Sequence, residues 1–571
     1  MFELQDHRVY CLHSLLLEAD ETPGSNFAGL TKQPVIGGTS ANPGYGMDEP
    51  APVWLPEKCR PAAKSHFADV SLLRETSKPC GGDLYAPVRG LISGETPSLC
   101  RVYTLSEQFQ NFLARGVLYE KDVPAEERFQ YQLAMVLSGA ARKRFEKALS
   151  EDDMPTEFLI PARKPDGAMG KDAFVVPIEI SGFDLYQFAT GRVVCQLSLK
   201  ARMPDGRDLP SPLLTELVSH AGRFAKLGWI EHPPSILQAK KSKGVSGAEG
   251  DQMVDVSAPV LLDGMDEFTL GGFVNRIVRG PRGRAARSMR TYTHAFAMIS
   301  KKSTGQVRGL LEEFGKKLAR QYTDDYALSA DADGLHEVAD FDNVVHILSR
   351  EGGASIVDPF KNGEKIPFLS DFRQATLEKN YLPISVLNVH QHARSLDLLT
   401  LAVKKGDEAR ELDVGTGTVS AHDAIEDEKS VLRAWDKMQD DVTLLNSRFR
   451  FHQISPVSMH NRFSMAQRLA LGLDELEKHL SADLADMSMR IQALVSMRSQ
   501  ARQQRFDRWF WWVPIVGSGV LTGILVLEIV TAVFDMRESG FDIWELGALA
   551  VAAAITIGAT WFAFHKRKIV V

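Results

Sequence analysis

The side chains in this chain best suited to chemistry are arginines. In RIVRGPRGRAARSMRTYTHAFAMISKK, running from Arg276 to Lys302, six of them fall within fifteen positions: Arg276, Arg279, Arg282, Arg284, Arg287 and Arg290. Planar guanidinium forks with interspersed glycines suit a phosphate, nucleotide or nucleic-acid ligand. The same run also fits a solvated loop or an internal ion-pair network. Neither a GxGxxG nor a P-loop pattern accompanies it, so ATP hydrolysis has no motif behind it. His390, His392 and His422 invite a metal reading, but alternate positions diverge on a regular helix and no acidic neighbour completes a ligand set. Asp331, Asp333, Asp340 and Asp342 in DADGLHEVADFD lack the EF-hand spacing and read as a turn. The five cysteines form no CxxC pair, which points to ordinary thiols. No nucleophile stands at a recognisable spacing from a base, so no enzyme is expected.

The elements that must position these residues belong to a chain of 571 residues, long enough for two to four domains. With 44% apolar residues, 24% charged residues and a net charge of -7, the composition excludes general disorder and an all-membrane protein. That mild acidity gives no overall attraction for nucleic acid. The first twenty residues lack a basic stretch leading into a long apolar one, so no secretory signal is expected. TLSEQFQNFLARGVLY, AEERFQYQLAMVLSGAARKRFEKALS and SPLLTELVSHAGRFAKLGWI read as helical. DAFVVPIEISG and GRVVCQLSLKAR read as strands, and LPISVLNV as a strand leading into the helix HQHARSLDLLTLAVKKG. The mixture predicts an α/β or α+β cytoplasmic domain followed by long helices and a two-helix transmembrane hairpin. The expected divisions are a body over 1–425, subdivided near 100 and 250–300, a helical stalk over 426–508, two membrane helices over 509–564 and a basic tail over 565–571. In the stalk, Leu469, Leu473, Leu476, Leu480, Leu484, Met487, Ile491 and Leu494 approach a heptad seam, the signature of helix packing within or between subunits. Pro456 marks a corner before it.

The hairpin is read from two apolar runs. Trp509 to Phe534 is WFWWVPIVGSGVLTGILVLEIVTAVF and Ile543 to Phe564 is IWELGALAVAAAITIGATWFAF. As a helix the first would rise roughly 39 Å, enough for a hydrocarbon core of about 30 Å. Arg498, Arg502, Arg505 and Arg508 precede the first run, and His565, Lys566, Arg567 and Lys568 follow the second. This pattern places both chain ends in the cytoplasm of a multi-pass inner-membrane or plasma-membrane protein. Gly517, Ser518, Thr522, Leu525, Glu528 and Met536 are the pore or gate candidates, with Glu528 the only ionisable residue of the first run. Asp535, Arg537, Glu538, Asp542 and Glu545 form the outer connector and its edge. Gly519 and Gly523 permit close helix approach.

A large α/β body, long helices leading into a first span, a short acidic connector and a second span with a basic tail together resemble the CorA-type metal-ion transporter superfamily over residues 426–571. The resemblance implies a homopentamer in the lipid bilayer, with the first membrane helix lining the pore and magnesium or another divalent cation as substrate or regulator. Of that family's Gly-Met-Asn signature only Met536 is matched, with Asp535 and Arg537 where glycine and asparagine would stand. The leading expectation is therefore a homo-oligomeric ion channel or transporter gated by a cytoplasmic ligand. The alternatives are a nonconducting membrane-tethered binding or assembly protein, and a membrane effector, in the setting of antiviral defence, that senses a nucleotide-like or protein regulator through the arginine segment.

Overall fold

The computed structural model describes residues 3–16, 73–105, 130–151, 160–163, 169–203, 208–223, 225–232, 260–262, 269–279, 291–300, 307–323, 334–361, 363–414 and 435–539, with a few short pieces between them. The chain forms two units, one of residues 1–405 and 433–481, the other of residues 406–432 and 482–571.

The first unit is built on a fifteen-stranded mixed sheet. Its main strands are β1 (Glu3–Leu16), β2 (Gln130–Leu137), β3 (Met169–Phe188), β4 (Arg192–Ala201), β5 (Lys226–His232), β6 (Tyr292–Ile299), β7 (His336–Phe341), β8 (Val344–Leu348) and β9 (Gly352–Val357). Across the sheet they run β7-β8-β9-β6-β1-β4-β3. Beyond β3 the short strands Ile160–Arg163 and Val260–Leu262 lead to β5, β2 and Val117–Tyr119. Neighbours are antiparallel except β6 with β9 and Ile160–Arg163 with Val260–Leu262. The helices of this unit are α1 (Ala86–Ser93), α2 (Gly139–Glu151), α3 (Ser211–Arg223), α4 (Leu270–Arg279), α5 (Val307–Arg320), α6 (Leu382–Val414, entering the second unit after Lys405) and α7 (Ser458–Leu471).

Strands β6, β8 and β9 are buried at every position because helices cover both faces. Their sequences accordingly run nearly unbroken in apolar and small residues, YTHAFAMI, VVHIL and GGASIV, instead of alternating. Adjacent residues of β8 serve opposite layers. Ile347 lies against α5 at Gly315, while the His346 ring lies edge-on to Phe463 of α7. The parallel contact of β9 with β6 depends on two glycines. A Cβ on Gly352 would stand 2.4 Å from the Thr293 carbonyl oxygen, and one on Gly353 would stand 2.6 Å from His294 Nδ1.

Several histidines are buried within these layers. His294 Nε2 and His346 Nδ1 each lie 2.7 Å from Ser355 Oγ, so the one hydroxyl donates to one ring and accepts from the other. Tyr381, His460 and Phe463 pack around the pair. Tyr381 ends a nine-residue π-helix, Arg373–Tyr381, that runs directly into α6. The π-segment is tied to β1 by Arg373 Nε donating to Asp6 (2.7 Å) and by the Tyr10 hydroxyl donating to Glu378 (2.6 Å).

DAFVVPIEISG and GRVVCQLSLKAR form β3 and β4 as expected, and SPLLTELVSHAGR forms α3. Four expectations are corrected. KLGWI, read as the end of the helix that begins at Ser211, belongs to β5, and the two ends of TLSEQFQNFLARGVLY, read as helix, are strand at Thr104–Leu105 and Val117–Tyr119. QYQLAMVL, within a stretch read as helix, is β2, and the helix of that stretch starts only at Gly139. LPISVLNV, read as strand, is the start of α6. All eight of its residues are buried, and an element buried on every side shows no periodicity by which helix and strand can be told apart. The leucine series of the expected seam is divided by Gly472, whose φ of +66° ends α7. Leu469 is exposed, while Leu473, Leu480 and Leu484 are buried.

The second unit contains the remainder of α8 (Leu473–Ser539), one continuous helix that enters it at Ala482. Here the membrane reading is corrected: among the described residues, no helix is long and apolar enough to cross a membrane. The run from Trp509 to Phe534 is part of α8. That helix carries Arg498, Arg502, Arg505 and Arg508 just before the run and an exposed Glu528 within it. Gly517, Ser518, Thr522, Leu525 and Met536 lie on its backbone and, with Glu528, lose their assignment as pore residues. The expected connector is also corrected, since Asp535, Arg537 and Glu538 continue the helix. Asp542 and Glu545 lie outside the described residues, as does most of the second run, Ile543 to Phe564. The expectations of a two-helix transmembrane hairpin, bilayer partner, pentameric channel and multi-pass inner-membrane location fall with the spans that carried them.

Candidate anion-binding cavity

One end of the sheet in the first unit holds a cavity of about 400 Å³, lined by Ser14, Thr291, Tyr292, Arg350, Glu351, Val389, His392, Ala393, Leu396 and Leu471. The topology explains why these distant residues meet. β1 and β6 are antiparallel, so the C-terminal end of β1 lies beside the start of β6. β9 runs parallel to β6, which brings the turn carrying Arg350 and Glu351 to the same end. Val389, His392, Ala393 and Leu396 recur at three- and four-residue steps along α6 and therefore share a face. Leu471 ends α7. The volume is within the range of small-molecule sites.

The wall divides chemically. Val389, Ala393, Leu396 and Leu471 are apolar, His392 stands among them on α6, and the strand ends and the β8–β9 turn present hydroxyls, a guanidinium and a carboxylate. Behind Ser14 stands Arg192, which is 2% exposed and forms a two-pronged ion pair with Asp397. Its Nη1 donates to Ser14 Oγ at 3.0 Å. Thr291 Oγ1 lies 2.8 Å from Nδ1 of the buried His13. Glu351 is anchored to Ser349 Oγ at 3.0 Å and faces Arg320 at 3.7 Å. Arg350 is exposed, and among the described residues no carboxylate lies within ion-pair distance of it.

Burial, with Arg350 and Arg192 nearby, holds the His392 imidazole down to about 4. Burial alone brings His13 to about 4. Both rings are therefore neutral near pH 7, and the positive character of the cavity comes from the guanidiniums.

The sequence-derived candidates are distributed unevenly around this site. His392 lines the cavity, whereas His390, two residues earlier, is buried, stacked on Phe188 and bonded to Thr190 Oγ1 at 2.8 Å. His422 lies outside the described residues. Among the described residues no group of three or more His, Cys, Asp and Glu side chains is placed to hold a metal ion. Arg276 and Arg279 are on the backbone of α4, and Arg282, Arg284, Arg287 and Arg290 lie outside the described residues. In the sequence Arg290 is followed directly by Thr291 and Tyr292, which line the cavity. Ser14, Arg192, Arg350 and Asp397 escaped the sequence reading. They are scattered through the chain without a motif, and the pairing of β1 with β4 and β6, the parallel pairing of β6 with β9 and the packing of α6 gather them.

No protein-family model matches this chain, and no curated protein matches it. The resemblance to the CorA-type superfamily therefore has neither a family match nor a membrane-spanning helix among the described residues to support it, and it is withdrawn.

Proposed function

We propose that the first unit is a ligand-binding domain whose cavity takes a small organic anion, and that the protein works by binding and not by catalysis. The observation that carries this reading is Arg350, a guanidinium on the cavity wall with no carboxylate partner among the described residues. Arg192 and Arg373 of the same unit are by contrast ion-paired. An unneutralised guanidinium beside a neutral imidazole and two hydroxyls favours a negatively charged group. The binding reading is supported by Ser14 too: its hydroxyl accepts from an arginine instead of facing a general base, so it is not arranged as an activated nucleophile.

The test is thermal unfolding of the full chain with and without millimolar inorganic phosphate, sulfate or acetate, at matched ionic strength set with chloride. At ten times Kd a ligand adds about 1.4 kcal/mol of stability, or a rise of about 2 °C or more in Tm. At least one of the three anions should raise Tm for the native sequence and not for Arg350→Gln. Equal shifts in the two proteins, or none in either, would remove the basis for this site.

A further inference from the structure

We infer that the cavity is polarised to donate hydrogen bonds, and that it is built for a phosphoryl group, such as that of a small phosphomonoester, in preference to a carboxylate. This inference rests on the anion-binding reading above and specifies the ligand class.

The argument is one of hydrogen-bond direction. Ser14 Oγ receives Nη1 of Arg192, and an arginine can only donate. The oxygen is therefore the acceptor in that contact. The Ser14 proton finds no acceptor among the described residues, which leaves it directed to the cavity that the residue lines. Thr291 is set by a different route. His13 is buried and neutral, so one ring nitrogen carries the proton. Its Nε2 has no hydrogen-bond partner among the described residues. A proton on Nε2 would leave a buried donor unpaired, whereas a proton on Nδ1 is donated to Thr291 Oγ1 2.8 Å away. With Nδ1 as the donor, Thr291 is the acceptor, and its own proton is free for the cavity.

Two buried groups that do not line the cavity, Arg192 and His13, thus fix the polarity of two hydroxyls that do. Arg350 adds further donors, and neutral His392 can supply one N–H. These four residues come from β1, the start of β6, the β8–β9 turn and α6, so their donors converge from several directions. Such a set matches the three terminal oxygens of a dianionic phosphomonoester, which accepts without donating, better than the two coplanar oxygens of a carboxylate. Glu351 is the exception on the polar wall. Its carboxylate is held by Ser349 and Arg320, and it would accept from a hydroxyl elsewhere on the ligand. The apolar side formed by Val389, Ala393, Leu396 and Leu471 would cover a short carbon body.

The experiment is calorimetric titration of the full chain at pH 8 with methyl phosphate, sulfate and acetate. Methyl phosphate should bind at least about tenfold more tightly than acetate, with sulfate between them. Ser14→Ala and Thr291→Val should each weaken methyl phosphate about tenfold, the usual worth of a charge-assisted hydrogen bond, and acetate less than about threefold. His13 is a positioning residue. His13→Leu should reproduce the loss seen in Thr291→Val, and His13→Asn, whose amide can still donate to Thr291, should recover most of the affinity. If His13→Leu does not fold, the two hydroxyl variants decide. Acetate binding as tightly as methyl phosphate, with Arg350→Gln still abolishing both, would overturn this inference and leave the anion-binding reading standing. Absence of binding by all three anions would remove both.

Discussion

Acid should unfold the first unit well above the pH at which carboxylates begin to protonate. His7, His13, His294 and His346 are each at most 4% exposed. Burial lowers them from 6.5 to about 3, 4, 3 and 3 respectively, with nearby Lys200 and Arg8 adding to the effect at His7 against the opposing pull of Asp6. In an unfolded chain each returns to about 6.5. Because the folded values are the lower ones, the unfolded state binds the extra protons. Stability is thus fully present above pH 6.5 and is lost as pH falls toward 4. At pH 5 each ring costs about 1.5 pH units times 1.36 kcal/mol, or about 2 kcal/mol. Four rings together approach 8 kcal/mol, a large share of the 5–15 kcal/mol typical of a folded protein. Urea unfolding followed by tryptophan fluorescence, which includes the fully buried Trp229, should show a midpoint falling steeply from pH 7.5 to pH 5. The pH slope should correspond to an uptake of at least four protons, since His390, His392 and His460 are depressed by burial as well, and to about one fewer in His7→Asn. A midpoint that hardly moves over this range would show that these rings are not held neutral by burial and would refute the reasoning.

Three other outcomes are expected. Gly352→Ala should destabilise by about 3 kcal/mol or more, because its Cβ would meet a backbone carbonyl at 2.4 Å in the β6–β9 contact. Gly191→Ala, at φ +81° with nothing within 4 Å of its Cβ, should cost only about 1 kcal/mol, the strain of a left-handed residue; the comparison is made by urea midpoints. Arg192→Met should cost about 3 kcal/mol, since Asp397 and Ser14 lose their shared partner; a loss under 1 kcal/mol in the same assay would show that water replaces it. Finally, a bound anion should lift the depressed titration of His392, so calorimetry at pH 5.5 with sulfate, which does not itself titrate there, in buffers of different ionisation enthalpy should register proton uptake that His392→Gln removes.

α3 is legible because a Ser-Pro pair opens it, and β3 and β4 because β-branched residues cluster between turn signals. LPISVLNV misleads because all eight of its residues are buried, so the cue of alternation is missing. QYQLAMVL misleads because the good helix formers Gln, Leu, Ala and Met are placed in a strand, where pairing with β5 and β3 overrides propensity. The site was legible only in part. The arginine segment drew attention to anions, its last arginine is followed in sequence by Thr291, and His392 was named for metal. Ser14, Arg192 and Arg350 lie in separate stretches, and their relation is created by strand register. The apolar runs of residues 509–564 dominated the sequence reading because hydropathy is a local signal, whereas the cavity is a property of chain crossings.

The position of β1 also bears on how the protein is made. β1 is synthesised before both of its neighbours, yet it lies between β4 and β6, and its Cys11 and Leu12 pair with Leu197 and Gln196 on one side and with Thr293 and Tyr292 on the other. The His13–Thr291 contact spans 278 residues. At 5–20 residues per second, β1 waits roughly 14–56 s for its last neighbour to be synthesised. During that interval an apolar strand has an open edge, the kind of surface that recruits chaperones or other nascent chains. Translation speed between residues 200 and 290 should therefore affect the yield of folded protein more than translation speed after residue 360, when every strand of the sheet around the cavity has already been made.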